Sequence, residues 1–273
     1  MDAGFPRSVV IYGAGLMGTS FALALKRRPS TGSPVRIYAV DRPDVLQRAS
    51  LHGAFEGSGE SQDVDLIVLA APVGQILKLL ETLEPGRAII LDLGSTKVEI
   101  CKTAERRRLP FIGGHPMTGS ERSGPEAASA ELFKGAPFFL CPIASTPGRA
   151  AVELEDLIRS IGGTPLQITA EEHDRIVARL SHLPQLVSTL LADYASDHRD
   201  LAGPGWKSLT RLAASPFHVW RDILQTSGYL PGELRAFIER LQSLLTALEA
   251  NDLGEIEAVF RRANRAVSEE TRE

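Results

Sequence analysis

Cysteine is scarce in this 273-residue chain: Cys101 and Cys141 are the only two, and neither belongs to a CxxC pair or a Cys/His cluster with metal-ligand spacing. That usage provides no metal site and reads as two reduced thiols of a cytoplasmic protein. No run approaches the roughly 20 apolar residues a membrane span requires, and Arg7 followed by Val9–Tyr12 leading straight into glycines lacks the form of a signal peptide. Net charge is also small, −4 with a pI near 5.9, so no broad cationic field exists to gather phosphate backbones. Nucleic acid and membrane are thereby set aside, and a small molecule is the expected partner. There is no internal repeat and no low-complexity segment.

What is present is ordinary globular material, 43% hydrophobic and 23% charged, long enough for two cores. Short apolar runs at Val9–Tyr12, Val35–Val40, Leu66–Ala70, Ala88–Leu91, Phe111–Ile112, Phe138–Leu140 and Leu166–Ile168 alternate with helical patterns. Alternation of this kind predicts an α/β fold with a doubly wound, mostly parallel sheet, and runs that are apolar throughout predict strands buried on both faces. After Ile168 the texture changes. Thr169-Ala170-Glu171-Glu172 reads as a helix N-cap with acidic residues in the first turn. Beyond it Ile176, Leu180, Leu183, Leu186, Val187, Leu190 and Leu191 recur at helical spacing on one long segment, kinked at Pro184. Leu234–Leu248 and Ile256–Val267 are further amphipathic stretches, and the polar tail from Ser268 to Glu273 is expected to fray. The organisation predicted is a nucleotide-binding domain over 1–168 and an all-α domain over 169–273, whose apolar surface suits a homodimer as well as packing within one chain.

Gly13-Ala14-Gly15-Leu16-Met17-Gly18 follows the first strand and opens a helix through Phe21, Ala22 and Leu25. A GxGxxG run is specific only in that context, which is the context of a Rossmann dinucleotide site. Gly13 permits the tight turn, Gly15 the approach of a pyrophosphate, and Gly18 close helix–strand packing, with the helix N-terminus facing the anion. Leu16 and Met17 lie on the same turn. Asp41 ends the second strand, where a carboxylate accepts ribose hydroxyls and repels a 2′-phosphate, which favours NAD over NADP. Arg42 beside it could stack on adenine or tolerate a 2′-phosphate. Ala71 and Pro72 close the next major strand and are expected on the nicotinamide side of the crevice.

Two polar segments converge at carboxyl ends of later strands: Asp92-Leu93-Gly94-Ser95-Thr96-Lys97 and Gly113-Gly114-His115-Pro116-Met117-Thr118-Gly119-Ser120-Glu121. Histidine before proline on a glycine-rich loop suits a group aimed at a ligand, and its ordinary pKa near neutrality suits exchange of a proton with an alcohol as hydride departs.

At these residues the chain resembles the prephenate/arogenate dehydrogenase family of tyrosine biosynthesis, over almost its whole length. The matching segments are the glycine loop, DLGSTK at 92–97, GGHPMTGSERSG at 113–124, LFKGAPFFLCP at 132–142, SHLP at 181–184 and TRLAASPFHVWRDI at 210–223. The resemblance implies a Rossmann domain followed by a helical dimerisation domain, and oxidative decarboxylation of a cyclohexadienol with hydride transfer to NAD. It implies that His115 accepts the hydroxyl proton, that Ser95 orients it, and that Arg211 grips a substrate carboxylate with a bidentate guanidinium. Lys207, Trp220 and His182 fall where the family places further pocket residues. Many prephenate-using relatives read HLPH where this chain has His182-Leu183-Pro184-Gln185; the neutral Gln185 could suit the ammonium of arogenate, and Asp174 could pair with it or cap its helix. Ser95 could equally cap the next helix. Competing readings are a β-hydroxyacid dehydrogenase or imine reductase of related architecture, and a nucleotide sensor without turnover.

Overall fold

The strand β1 (Ser8–Tyr12) is buried along its full length, as a run apolar on both faces should be when helices cover both. It heads an eight-stranded sheet with β2 (Arg36–Val40), β3 (Gly57–Ser58), β4 (Leu66–Leu69), β5 (Ile89–Asp92), β6 (Phe111–Pro116), β7 (Pro137–Pro142) and β8 (Thr164–Gln167). The computed structural model describes residues 5–29, 33–59, 63–120 and 122–270, and among these the strand order is β3-β2-β1-β4-β5-β6-β7-β8. All neighbours are parallel except β6 and β7, which run antiparallel.

Alternate side chains of each strand feed two separate cores. Val9, Ile11, Leu66, Val68, Ile89 and Leu91 pack with α1 (Leu16–Arg27) and α5 (Ala150–Ser160) through Phe21, Leu25, Leu154 and Ile158. Val10, Tyr12, Leu69 and Ile90 pack on the other face with α3 (Val73–Thr82) and α4 (Val98–Arg106) through Ile76, Leu80, Ile100 and Ala104. The remaining helix of this part, α2 (Pro43–Ser50), packs Val45 and Ala49 against Ala14 and Ala39. This is the doubly wound arrangement expected. Strand order reverses between β1 and β4, so the crevice where such sheets bind ligands opens there.

Past the sheet, α6 (Ala170–Val177) begins as predicted, with Thr169 accepting the Glu172 amide at 3.1 Å. The long periodic segment is helical without a break: a π-helical turn (Ala178–His182) joins α6 to α7 (Leu183–Tyr194), and Pro184 follows directly on that turn. Leu180 and Leu190 are exposed within the chain, 67% and 61%. A short helix α8 (Pro204–Leu209), a 3-10 turn (Arg211–Ala214) and α9 (Phe217–Thr226) come next. These helices belong to the same compact unit as the sheet, residues 1–228; residues 229–273 form a second unit. That unit is α10 (Leu230–Glu249) and α11 (Leu253–Glu270), joined at Asn251 with φ 52°. Helix α11 continues through Ser268 to Glu270, where fraying was expected; 271–273 lie outside the described residues. No helix among the described residues is long and apolar enough to cross a membrane.

Candidate active site

The glycine loop turns sharply after β1. Gly13 has φ 104°, a region where a side chain is strained, and a Cβ there would run into the Ala70 carbonyl. The loop is thus pressed against the end of β4, which carries Ala71, half-buried, and Pro72, exposed. A Cβ on Gly18 would collide with the Gly13 carbonyl, so only glycine brings α1 this close. At Gly15 the opposite holds: a Cβ would meet nothing within 4 Å. Gly15 is the N-cap of α1, which has neither a capping side chain nor an acid in its first turn. Half-buried Leu16 and Met17 come directly after it. Open space before uncapped helical amides fits a pyrophosphate.

At the end of β2 the Asp41 carboxylate accepts the amides of Ala14 and Arg42, both at 2.7 Å, which sets it against the glycine loop. Arg42 is exposed and paired with Asp44 at 3.4 Å.

His115 is not on a loop. The glycines before it continue β6, and His115 stands opposite Phe139 of β7. Glycine is needed there for proximity, because a Cβ at Gly114 would strike the Asp92 carbonyl and Leu91, and one at Gly113 would crowd Cys101 and Lys97. Glu121 of the same motif lies outside the described residues. Beneath β6 is a fully buried ion pair: Lys97 Nζ on Asp92 Oδ2, both side chains 0% exposed. The Asp92 carboxylate also accepts the Gly94 amide at 2.8 Å and the Gly114 amide at 3.0 Å, so it ties the strand carrying His115 to the loop carrying Ser95. Burial pushes the Asp92 carboxyl up from the usual range, against the opposing pull of Lys97 and the two amides.

The half-buried His115 meets a second imidazole that the sequence did not single out. Its Nδ1 lies 2.8 Å from Nε2 of His173, whose own Nδ1 lies 2.8 Å from Asp174 Oδ1. Asp174 is buried and accepts the amides of Lys97 at 2.6 Å and Val98 at 2.9 Å. It therefore caps α4, a different helix from its own, instead of its own first turn. Ser95 is half-buried, and among the described residues it forms no hydrogen bond with His115 and does not cap α4. Burial pushes His115 well below its ordinary pKa, with repulsion from His173, Lys97 and His182 in the same direction.

A second cluster surrounds buried His182, whose Nδ1 lies 2.8 Å from Ser227 Oγ and whose ring meets half-buried Trp220 edge-on at 5.8 Å. Burial lowers its pKa to about 4. Gln185 is also buried. Its amide nitrogen donates to the Leu212 carbonyl at 2.8 Å and to Thr189 Oγ1 at 3.2 Å, while the Ala213 amide donates to Ser188 Oγ. Gln185 and Ser188 thus hold the turn that presents Arg211, which is exposed, as is Lys207 on α8. From α9, Asp222 accepts the Gly74 amide at 3.0 Å and Thr226 meets Thr96 at 2.8 Å.

Histidines kept neutral by burial make stability depend on pH with a definite sign. An unfolded histidine binds its proton near pH 6.5, whereas buried His182 does so only near 4. Its contribution is present above 6.5 and is lost as pH falls toward 4. The urea midpoint is expected to drop from pH 7 to pH 4.5, less steeply in His182→Asn; equal slopes would refute this.

Comparison with known proteins agrees with this geometry. The family profile "Prephenate dehydrogenase, nucleotide-binding domain" matches residues 21–166, and "Prephenate dehydrogenase, dimerization domain" matches 169–262. The chain is 30% identical over 275 residues to a prephenate dehydrogenase of Lactococcus lactis, covering 93% of this chain and 75% of that one. It is 33% identical over 268 residues to a cyclohexadienyl dehydrogenase of Zymomonas mobilis, covering 90% of each. The solved prephenate dehydrogenase of A. aeolicus, in complex with hydroxyphenyl propionate and NAD+, superposes with a TM-score of 0.86 at 26% identity, over 96% of this chain and 98% of that one. Two profiles spanning both segments, over a site with the imidazole at the end of β6, establish that the chain belongs to the prephenate dehydrogenase family.

Proposed function

We propose that the chain catalyses the oxidative decarboxylation of prephenate, arogenate or both, with NAD as acceptor. The observation that carries the reading is the placement of His115 at the carboxyl end of β6, with Nδ1 engaged by His173 and Nε2 without a hydrogen-bond partner among the described residues. Bound NAD supplies the acceptor for the hydride leaving the ring carbon that bears the hydroxyl. The chain's residues do the rest. Amides at the start of α1 hold the pyrophosphate, Asp41 takes the ribose hydroxyls, and Ala71 and Pro72 line the nicotinamide side. His115 Nε2 takes the hydroxyl proton, Ser95 orients the reacting pair, and CO2 departs as the ring aromatises. Arg211 grips a carboxylate, and Lys207, His182, Trp220 and Gln185 complete the pocket, Gln185 through the turn it anchors. The scheme uses a base and a guanidinium and calls on no metal.

The substrate-binding and dimerisation part is proposed to be 169–273, and the partner a second copy of this chain. Leu180, Leu190, Tyr194, Leu209 and Phe217 are exposed at 61–90%, and the family profile over this part is named for dimerization. A cytoplasmic location fits the two free, buried thiols.

Absorbance of the reduced nicotinamide at 340 nm, with each cofactor and each substrate in turn, tests the reading. Turnover with NAD exceeding that with NADP is expected, and Asp41→Asn should narrow the gap. Silence with both substrates would remove the reading.

A further inference from the structure

The geometry points to His173, held by Asp174, as the positioning residue that fixes His115 in its Nδ1–H tautomer and receives that proton when His115 Nε2 takes the one from the substrate hydroxyl. The inference rests on the dehydrogenase reading for its second half only; the tautomer follows from hydrogen bonding. Backbone amides can only donate, and both oxygens of Asp174 accept them, from Lys97 and Val98. Asp174 thus presents lone pairs, and the His173 Nδ1 at 2.8 Å is the donor. A neutral His173 then has only a lone pair on Nε2, so the His115 Nδ1 facing it at 2.8 Å must carry the hydrogen. The lone pair of His115 is left on Nε2.

The surroundings favour this direction. His173 is fully buried, and Phe139 packs edge-on against its ring at 5.3 Å and 87°, which restrains the imidazole from turning. The charged and titratable groups facing the two rings are Asp174 from α6, Asp92 from β5, Lys97 before α4 and His182 from the π turn. Lys97 is satisfied by Asp92, which leaves Asp174 as the anion in contact with His173. In the step itself, the substrate O–H breaks and an N–H forms at His115 Nε2. The Nδ1–H of His115 breaks and an N–H forms at His173 Nε2. His115 ends neutral, and the positive charge rests on His173 beside the Asp174 carboxylate. The two electrons leave with the hydride to the nicotinamide, as the reaction already requires.

Long-range 1H–15N spectra of 15N-histidine protein, with His115 identified by its loss in His115→Asn, read the tautomer directly. The Nδ1–H form is expected in the unaltered protein. His173→Phe should abolish the preference and lower kcat by about 10- to 100-fold, less than loss of the base itself, with KM values within about twofold. His173→Gln, whose amide oxygen can accept from His115, should restore the tautomer and part of kcat. A wild-type His115 protonated on Nε2, or a tautomer unchanged in His173→Phe, would overturn the inference. Should His173→Phe not fold, the wild-type spectrum and His173→Gln still decide. Absent turnover with the expected spectra would sink the dehydrogenase reading and leave the tautomer assignment standing; turnover with the wrong tautomer would do the reverse.

Discussion

Replacing His115 with asparagine is expected to lower kcat/KM by about 10²–10⁴, the usual contribution of a positioned general base, while NAD affinity stays near that of the parent. Asparagine keeps a polar group of similar reach on β6 but cannot accept a proton. The glycine loop that would hold the cofactor lies behind β1 and shares no hydrogen bond with His115. Parallel titration of NAD by fluorescence separates the two effects. Because burial holds His115 well below its ordinary pKa, the acid limb of the parent's kcat/KM profile should fall below pH 6.5. Activity that survived the substitution would shift the reading to the rival hydroxyacid or imine chemistries, which rely on other groups.

Lys97→Met should have the largest effect on stability. Removing one member of a buried ion pair strands the other, at a cost of about 3–5 kcal/mol. Asp92, 0% exposed, would retain only the two amide donors. For a domain of this size that corresponds to a fall in Tm of roughly 6–20 °C. The exposed pair Arg159–Glu155 on α5 is the control, since Arg159→Met there should leave Tm nearly unchanged. Equal Tm losses in the two variants would refute the structural importance of the buried pair. Activity should fall as well, because Gly114, which Asp92 anchors, precedes His115.

Much of this was legible in the sequence because it is encoded locally. Runs such as Val9–Tyr12 and Leu66–Ala70 show strands by composition alone, and the glycine loop shows its purpose by the strand before it and the helix after it. β3 could not be read, since two exposed residues, Gly57 and Ser58, carry no periodicity. Gly113 and Gly114 were misleading: glycine usually marks a loop, and here it lets β6 lie against Asp92. The π turn escaped because its apolar spacing is nearly that of an α-helix. His173 was the costliest omission, and Asp174 was read only as an ammonium partner or a cap of its own helix. Next to Glu171 and Glu172 they look like an ordinary acidic first turn, and their partners lie 58, 76 and 77 residues away.

Three helices start at the carboxyl ends of the central strands, and each start is a partial positive charge that could attract an anion. Two are already answered for: Asp222 sits on the first turn of α3 and Asp174 on that of α4. Of the three, only α1 is left uncapped. Of these three starts, α1 is therefore the one open to an anion. On the proposed reading the diphosphate and the substrate carboxylate are sorted by different chemistry, peptide dipoles for one and the guanidinium of Arg211 for the other, so the two ligands need not exclude each other.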